Sequence, residues 1–288
     1  MSPDTLAAAR PRPAILPPPL AAERDLDFSA DDFQRVRSLI RAKAGIDLHP
    51  GKQNMVYGRL SRRLRERGHP SFRSYLDALQ GDSGPEWQEF INCLTTNLTA
   101  FFREAHHFET LADELRRASG PVRIWSCASS TGEEPYSIAM TALETLGAGA
   151  RVTIEASDID TQVLAQARAG VYSLETAASL GDARLRRFFL KGSGPNAGKV
   201  RVRPEVRSMV NFRSFNLLAG HWEASACDAV FCRNVMIYFD RPTQRRVLER
   251  LHACLRPGGL LFAGHAENFT DQSDLFALAG KTVYRRAG

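Results

Sequence analysis

The first sustained pattern along the chain is SADDFQRVRSLIRAKAG, residues 29–45, in which Phe33, Val36, Leu39 and Ile40 recur at helical spacing. Ser29 with Asp32 three residues on reads as the start of a helix, and Gly45 as its stop. GKQNMVYGRLSRRLRERG predicts a second helix, with Val56, Tyr57, Leu60 and Leu64 on one strip and Arg59, Arg62 and Arg63 crowding the neighbouring face. Two more helices are expected around SFRSYLDAL and PEWQEFINCLTTNL, and REAHHFETLADELRRAS continues helical. From Pro121 the period changes. The short apolar runs VRIWS, VTIEAS, CDAVFC and GLLFAG read as strands, and EPYSIAMTALETL, TQVLAQARAG and TQRRVLERLHACL between them as helices. That alternation predicts an α/β domain, a doubly wound parallel sheet with helices on both faces. RRFFLKGSGPNAGKVRVRPEVRSMVNFRSFN has no helical period and is expected to form short strands around a Gly-rich turn inserted in the sheet domain.

The expected division is a Pro/Ala-rich tail over 1–27, a small all-α domain over 28–92, a helical linker over 93–120 and the sheet domain over 121–288, with a β-insertion at about 184–214. The tail cannot bury a face and is expected to be mobile.

Composition narrows the reading. The chain has 288 residues, 43% of them hydrophobic, and no apolar run near the ~18 needed to span a bilayer. No secretory leader is evident, so a cytoplasmic address without membrane insertion is expected. Five cysteines without a C-x-x-C pair suggest neither a disulfide framework nor a thiolate zinc site. The histidines lack metal spacing, and the adjacent His106 and His107 are expected to point in different directions on a helix, so no metal is expected. Charge is uneven: Lys52, Arg59, Arg62, Arg63, Arg65 and Arg67 face one acid, Glu66, within a single helix. Such an excess attracts an acidic partner at long range.

The stretch WSCASSTGEEPYSIAM, a strand running through small residues into a helix, sits where nucleotide folds hold their ligand. A dinucleotide site wants several glycines so that backbone can approach phosphate. Here Gly132 stands alone, followed by Glu133 and Glu134. At about 5 Å and an effective dielectric near 20, each carboxylate–phosphate encounter costs on the order of 3 kcal/mol, which argues against NAD, FAD and ATP. S-adenosylmethionine has no phosphate and carries an ammonium, a sulfonium and a ribose diol, so an acidic loop attracts it. ASDID then places Asp158 beyond the second strand, where an acid can take ribose hydroxyls, whereas Asp160 fits better as a helix cap.

Together FINCLTTNLTAFFREAHHF, WSCASSTGEEPYSIAM, ASDID, FCRNVMIYFD and GGLLFAGHAENF resemble the chemotaxis receptor methyltransferase family, CheR, over about residues 28–285. The resemblance implies a Rossmann-like domain with an inserted antiparallel β-subdomain, preceded by a helical domain. It implies S-adenosylmethionine-dependent esterification of glutamates on the cytoplasmic bundle of chemoreceptors. By the same resemblance, Asn97, Thr99 and Arg103 would face the cofactor, Glu134 its amino end, Asp158 the ribose, and Asn216 and Leu217 the adenine. Arg233 and Asn234 would complete the pocket, Arg103 and Tyr238 would position the reacting groups, and the β-insertion would hold a receptor's C-terminal peptide. Arg59, Arg62 and Arg63 then become candidate docking residues for acidic receptor helices.

Two rivals stand beside this reading. A nucleic-acid methyltransferase would suit a pI near 9.3, but enzymes that methylate exocyclic amines share N/D-P-P-Y/F after the fourth strand, and this chain has RNVMIY, without the prolines. A docking or sensing module on an inactive methyltransferase fold would not need Arg103, Glu134, Asp158 and Tyr238 together.

Overall fold

The computed structural model describes residues 26–220, 222 and 226–288, so most of the expected tail lies outside the described residues. Four helices come first: α1 (Ala30–Ala44), α2 (Gln53–Arg67), α3 (Phe72–Gly81) and α4 (Glu86–Leu94). Ser29 and Asp32 exchange hydrogen bonds as a capping box, and Gly45, at φ 73°, ends α1 in the left-handed conformation. The apolar strips meet in one core: Phe33, Val36 and Ile40 against Val56, Leu60 and Leu64, closed by Phe72, Leu76 and Phe90.

The chain continues through α5 (His106–Arg117), β1 (Val122–Ser126), α6 (Glu133–Leu146), β2 (Val152–Asp158), α7 (Thr161–Ala169), β3 (Val171–Ser173), α8 (Leu174–Ala177) and α9 (Gly181–Phe188). It ends with β4 (Phe189–Lys191), β5 (Lys199–Val202), α10 (Pro204–Arg207), β6 (Val210–Ser214), β7 (Cys227–Cys232), α11 (Arg241–Cys254), β8 (Leu255–Ala263), β9 (Phe276–Gly280) and β10 (Val283–Arg286). Seven strands form the large sheet in the order β6-β2-β1-β7-β8-β10-β9. The first five are parallel; β10 runs antiparallel to both β8 and β9. One apolar core lies on each face, and Phe231 and Phe262 of the strands stack at 4.2 Å between centroids.

The inserted sheet differs from expectation at both ends. It is antiparallel in the order β3-β5-β4. It therefore starts at residue 171 rather than near 184, recruiting the three-residue β3 directly after Gly170. The last strand expected in it, β6, pairs instead with β2 as the edge of the large sheet. Three residues carry too little periodicity to reveal β3, and an edge strand reads like any other short one.

The strand order reverses between β1 and β7, so the loops after β1, β2 and β7 open a crevice at the carboxyl edge. The helical domain is tied to that edge. Asp47 N–H donates to the Tyr238 carbonyl at 2.8 Å, Asn216 Nδ2 to the Lys43 carbonyl at 2.8 Å, and Gln88 Nε2 to the Ile159 carbonyl at 2.8 Å. Arg41 pairs with Asp240.

Candidate active site

Where the helical domain meets the carboxyl edge there is a cavity of about 340 Å³. Its lining includes Asn97, Thr99 and Arg103 from the segment after α4, Glu134 from the start of α6, Asp158 from the end of β2, and Asn216 and Leu217 after β6. Arg233, Asn234 and Tyr238 come from the loop after β7, and Lys52, just before α2, and Met55 of α2 close one side. Segments far apart in sequence therefore converge on one space because the crossovers put their loops on the same edge.

Glu134 and Arg233 form its buried charged wall. The Arg233 side chain is only 2% exposed, and Nη1 donates to Glu134 Oε2 at 2.9 Å. Ser126 Oγ donates to Glu134 Oε1 at 2.8 Å. Burial pushes the Glu134 pKa up, and the guanidinium offsets part of that push. A second Arg233 nitrogen donates to the Arg103 carbonyl and lies 3.4 Å from Glu104 Oε2. Arg233 therefore fixes the backbone at Arg103.

Asp158 is 8% exposed and accepts from the backbone N–H groups of Ser130 at 2.8 Å and Asp160 at 2.9 Å. Burial raises its pKa to about 6 despite those bonds. Asp160 is the cap, as expected: its Oδ1 accepts from Gln162 N at 2.9 Å and Val163 N at 3.2 Å. Its Oδ2 accepts from Thr95 Oγ1 at 2.6 Å and Asn97 Nδ2 at 2.8 Å.

Several expected side chains are already occupied. Asn97 holds Asp160, and Asn216 spends both ends of its amide, donating to Lys43 and accepting from Leu218 N at 2.8 Å. Part of each amide's hydrogen-bonding capacity is thereby committed within the fold. Glu133 does not line the cavity; it is buried, with Thr131 Oγ1 donating to it at 2.6 Å. Gly132 serves packing: at φ 100°, a Cβ there would meet Ala167 Cβ and the Tyr172 hydroxyl at 2.9 Å. That explains a lone glycine in a loop that cradles no phosphate.

The basic helix directs much of its charge into the fold. Arg63 forms a two-pronged pair with Glu86 at 2.8 and 2.6 Å, to which the Tyr75 hydroxyl also donates at 3.0 Å. Burial opposes ionisation of Glu86, yet Arg63 and Tyr75 hold its carboxyl below the usual range. Arg59 donates to the Thr95 carbonyl at 2.6 Å, tying α2 to the end of α4. Of the three candidate docking residues only Arg62, 84% exposed in its side chain, is displayed to solvent, with an i,i+4 contact to Glu66.

Glu267 escaped sequence reasoning. It is buried after β8 and accepts from the N–H groups of Gly264 at 2.6 Å, Asn234 at 2.9 Å and Met236 at 2.8 Å, shaping the loop that carries Tyr238. An acid just beyond the carboxyl end of a parallel strand was the available signal. Backbone strain gathers here too: Phe102, Glu104, Ser130 and Asn234 all have positive φ, between 48° and 59°. Phe102 and Glu104 flank Arg103.

A parallel sheet reversed between β1 and β7, an antiparallel pair at its far edge, and carboxylates rather than a glycine cradle at its crevice define an S-adenosylmethionine-dependent methyltransferase. Residues 31–95 match the family described as CheR methyltransferase, all-alpha domain, and residues 97–285 that described as CheR methyltransferase, SAM binding domain. The chain belongs to the CheR methyltransferase family. It is 53% identical over 280 residues to a Pseudomonas aeruginosa protein named chemotaxis protein methyltransferase 2, covering 96% of this chain and 100% of that one. It is 53% identical over 262 residues to the chemotaxis protein methyltransferase of Escherichia coli, covering 90% and 92%.

Proposed function

We propose that this protein transfers a methyl group from S-adenosylmethionine to glutamate side chains of chemoreceptors, leaving a glutamate methyl ester and S-adenosylhomocysteine. The observation that carries the reading is the convergence of Arg103 and Tyr238 on one cavity that also holds the Glu134 and Asp158 carboxylates. Bound there, the cofactor supplies an electrophilic methyl carbon. The rest is work for the chain. Asp158 accepts ribose hydroxyls, Glu134 faces the cationic end, Leu217 packs against the adenine, and Thr99 and Asn234 close the pocket. A glutamate with an ordinary pKa near 4.3 is ionised at neutral pH and needs no base. The protein must align the carboxylate with the methyl carbon and exclude water. Arg103, which donates to the Leu98 carbonyl at 3.0 Å, retains further N–H groups for a carboxylate. Tyr238, its carbonyl held by Asp47, offers a hydroxyl for alignment. Among the described residues no helix is long and apolar enough to cross a membrane, and an address in the cytoplasm follows from a receptor substrate exposed there. The test is to incubate the protein with labelled S-adenosylmethionine and chemoreceptor membranes. Label in the receptor that base releases as methanol supports the ester; base-stable label refutes it.

If Asp158 receives the ribose hydroxyls, binding prefers its ionised form. Its pKa in the fold is raised to about 6, so affinity is full above that value and falls below it, by up to tenfold per unit. Calorimetry should show this fall in the wild type. Asp158→Asn should bind more weakly by ~1–3 kcal/mol near neutrality and lose the pH dependence.

Receptor docking belongs to the exposed side of α2, Arg62 with the exposed Arg65, rather than to Arg59 or Arg63. Arg62→Ala combined with Arg65→Ala should slow receptor methylation at low salt and leave cofactor affinity unchanged, while added salt slows the wild type more than the variant. Equal salt sensitivity would remove α2 from the docking surface. Arg63→Ala instead leaves the Glu86 carboxylate to the Tyr75 hydroxyl and the more exposed Arg67, 3.2 Å away, and should lower stability by ~1–2 kcal/mol. The β4–β5 hairpin, residues 189–202, is the proposed holder of a receptor C-terminal peptide; a titration unaffected by deletion of residues 192–198 rejects it.

A further inference from the structure

At the start of α5, beside the cofactor cavity, a second kind of chemistry is assembled. Glu104, His106 and His107 each offer one ligand atom, all within 4.8 Å of one another. The two imidazoles, expected to diverge, have ring centroids 4.2 Å apart. Both lean on the turn between β9 and β10, and Glu104 turns back over them through its left-handed backbone, φ 59°.

That turn sets the tautomers. His106 Nε2 donates to the Lys281 carbonyl at 3.1 Å. His107 Nε2 lies 2.8 Å from Thr282 Oγ1, which is itself 2.8 Å from the Lys281 carbonyl, an arrangement that lets the hydroxyl donate to the carbonyl and accept from the imidazole. Each ring is left with its lone pair on Nδ1, the arrangement that outer hydrogen bonds impose on metal-binding histidines. His107 is fully buried, yet its Nδ1 has no hydrogen-bond partner, and neither has Glu104 Oε2. These two acceptors face each other at 3.6 Å. Lone pairs so placed repel unless a positive centre lies between them. A tetrahedral Zn(II) at about 2.0–2.1 Å from each ligand separates them by roughly 3.4 Å, so this pair already has the required gap, and the set as a whole, within 4.8 Å, closes on an ion by a small turn of the partly exposed His106 ring.

Charge permits a cation. Arg233 lies 3.4 Å from Glu104 Oε2, but Glu134 pairs with it at 2.9 Å, and the three groups together carry a single negative charge. His265 Nδ1, 3.3 Å from Glu104 Oε1, orients the carboxylate from the other side.

We propose that Glu104, His106 and His107 form a binding site for a divalent transition-metal ion, with a two-nitrogen, one-oxygen donor set suited to Zn(II). No metal was expected from the sequence. Glu104 is shared between this site and Arg233, so the ion would sit one side chain away from the cavity wall.

The test titrates the full chain, freed of metal by a chelator, with Co(II), which reports low-coordinate nitrogen and oxygen ligation through visible ligand-field absorption. One saturable equivalent, displaced by one equivalent of Zn(II), is the expected result. His106→Ala, at a partly exposed position, should still melt cooperatively and weaken Co(II) binding by about tenfold or more. Glu104→Gln, close to isosteric, should do the same. His69→Ala, whose ring packs on Tyr75 in the helical domain, should leave the band intact. Absence of a saturable band, or a band that survives both His106→Ala and Glu104→Gln, overturns the proposal.

Discussion

Arg233→Ala is expected to lower stability by ~3–5 kcal/mol, the range for removing one member of a buried ion pair. The side chain is 2% exposed, and without it Glu134 loses its 2.9 Å partner, Glu104 a guanidinium at 3.4 Å, and the Arg103 carbonyl a donor. For a chain of this size the melting temperature should fall by roughly 6–20 °C. The deficit has a definite pH dependence. Burial already raises the Glu134 pKa, and losing the guanidinium raises it further. A carboxyl whose pKa is higher in the fold than in the unfolded chain takes up a proton on folding. The variant should therefore recover stability as pH falls, and calorimetric melts near pH 5 and pH 8 should show the gap from wild type narrowing at the lower value. Arg233→Met with Glu134→Gln removes both charges and should be more stable than Arg233→Ala alone. A gap that widens as pH falls would mean that Glu134 does not depend on Arg233.

Glu267→Ala should cost on the order of a hundredfold in the rate of methyl transfer, with a much smaller change in cofactor affinity. Its carboxylate gathers three backbone N–H groups at 2.6–2.9 Å and so bends the chain from Gly264 across to Met236. Without it the donors from Asn234 and Met236 must find water, and the short helical turn that carries Tyr238 shifts. A displacement near 1 Å at a reacting group costs about that much in rate. Glu267→Gln should be nearly as poor, because its amide turns one acceptor into a donor facing N–H groups. Single-turnover methylation at saturating receptor and cofactor separates this loss from binding. A variant with normal single-turnover rate but weak cofactor affinity would move Glu267 from positioning Tyr238 to shaping the cofactor wall.

Much of the architecture was legible because it is local. The Ser29–Asp32 box and Gly45 bound α1 as read, and the apolar strips of α1 and α2 bury as their spacing requires. The cavity's lining was legible as motifs, and every residue expected to bind the cofactor lies on it. What each side chain does there was not legible, because its partner is distant in sequence. Arg63 reads as surface charge until Glu86 arrives from another helix. The Asn216 amide answers Lys43 across the domain junction. His106 and His107 diverge on an ideal helix, but they stand at its first turn, where the β9–β10 hairpin gathers both rings. Glu267 looks like a loop acid until three strand-end amides are folded around it.

The two family segments meet at the exposed Thr96. Thr95 and Asn97, on either side of it, hydrogen-bond the same Asp160 oxygen, at 2.6 and 2.8 Å. A protease cleaving there would free no domain. Both new ends would still grip one carboxylate, and the nicked halves would travel through a sizing column as a single body until denaturant parted them. Continuity of the polypeptide is thus dispensable at Thr96 once folding is complete, and a gene split at that codon could yield two polypeptides that reassemble around Asp160.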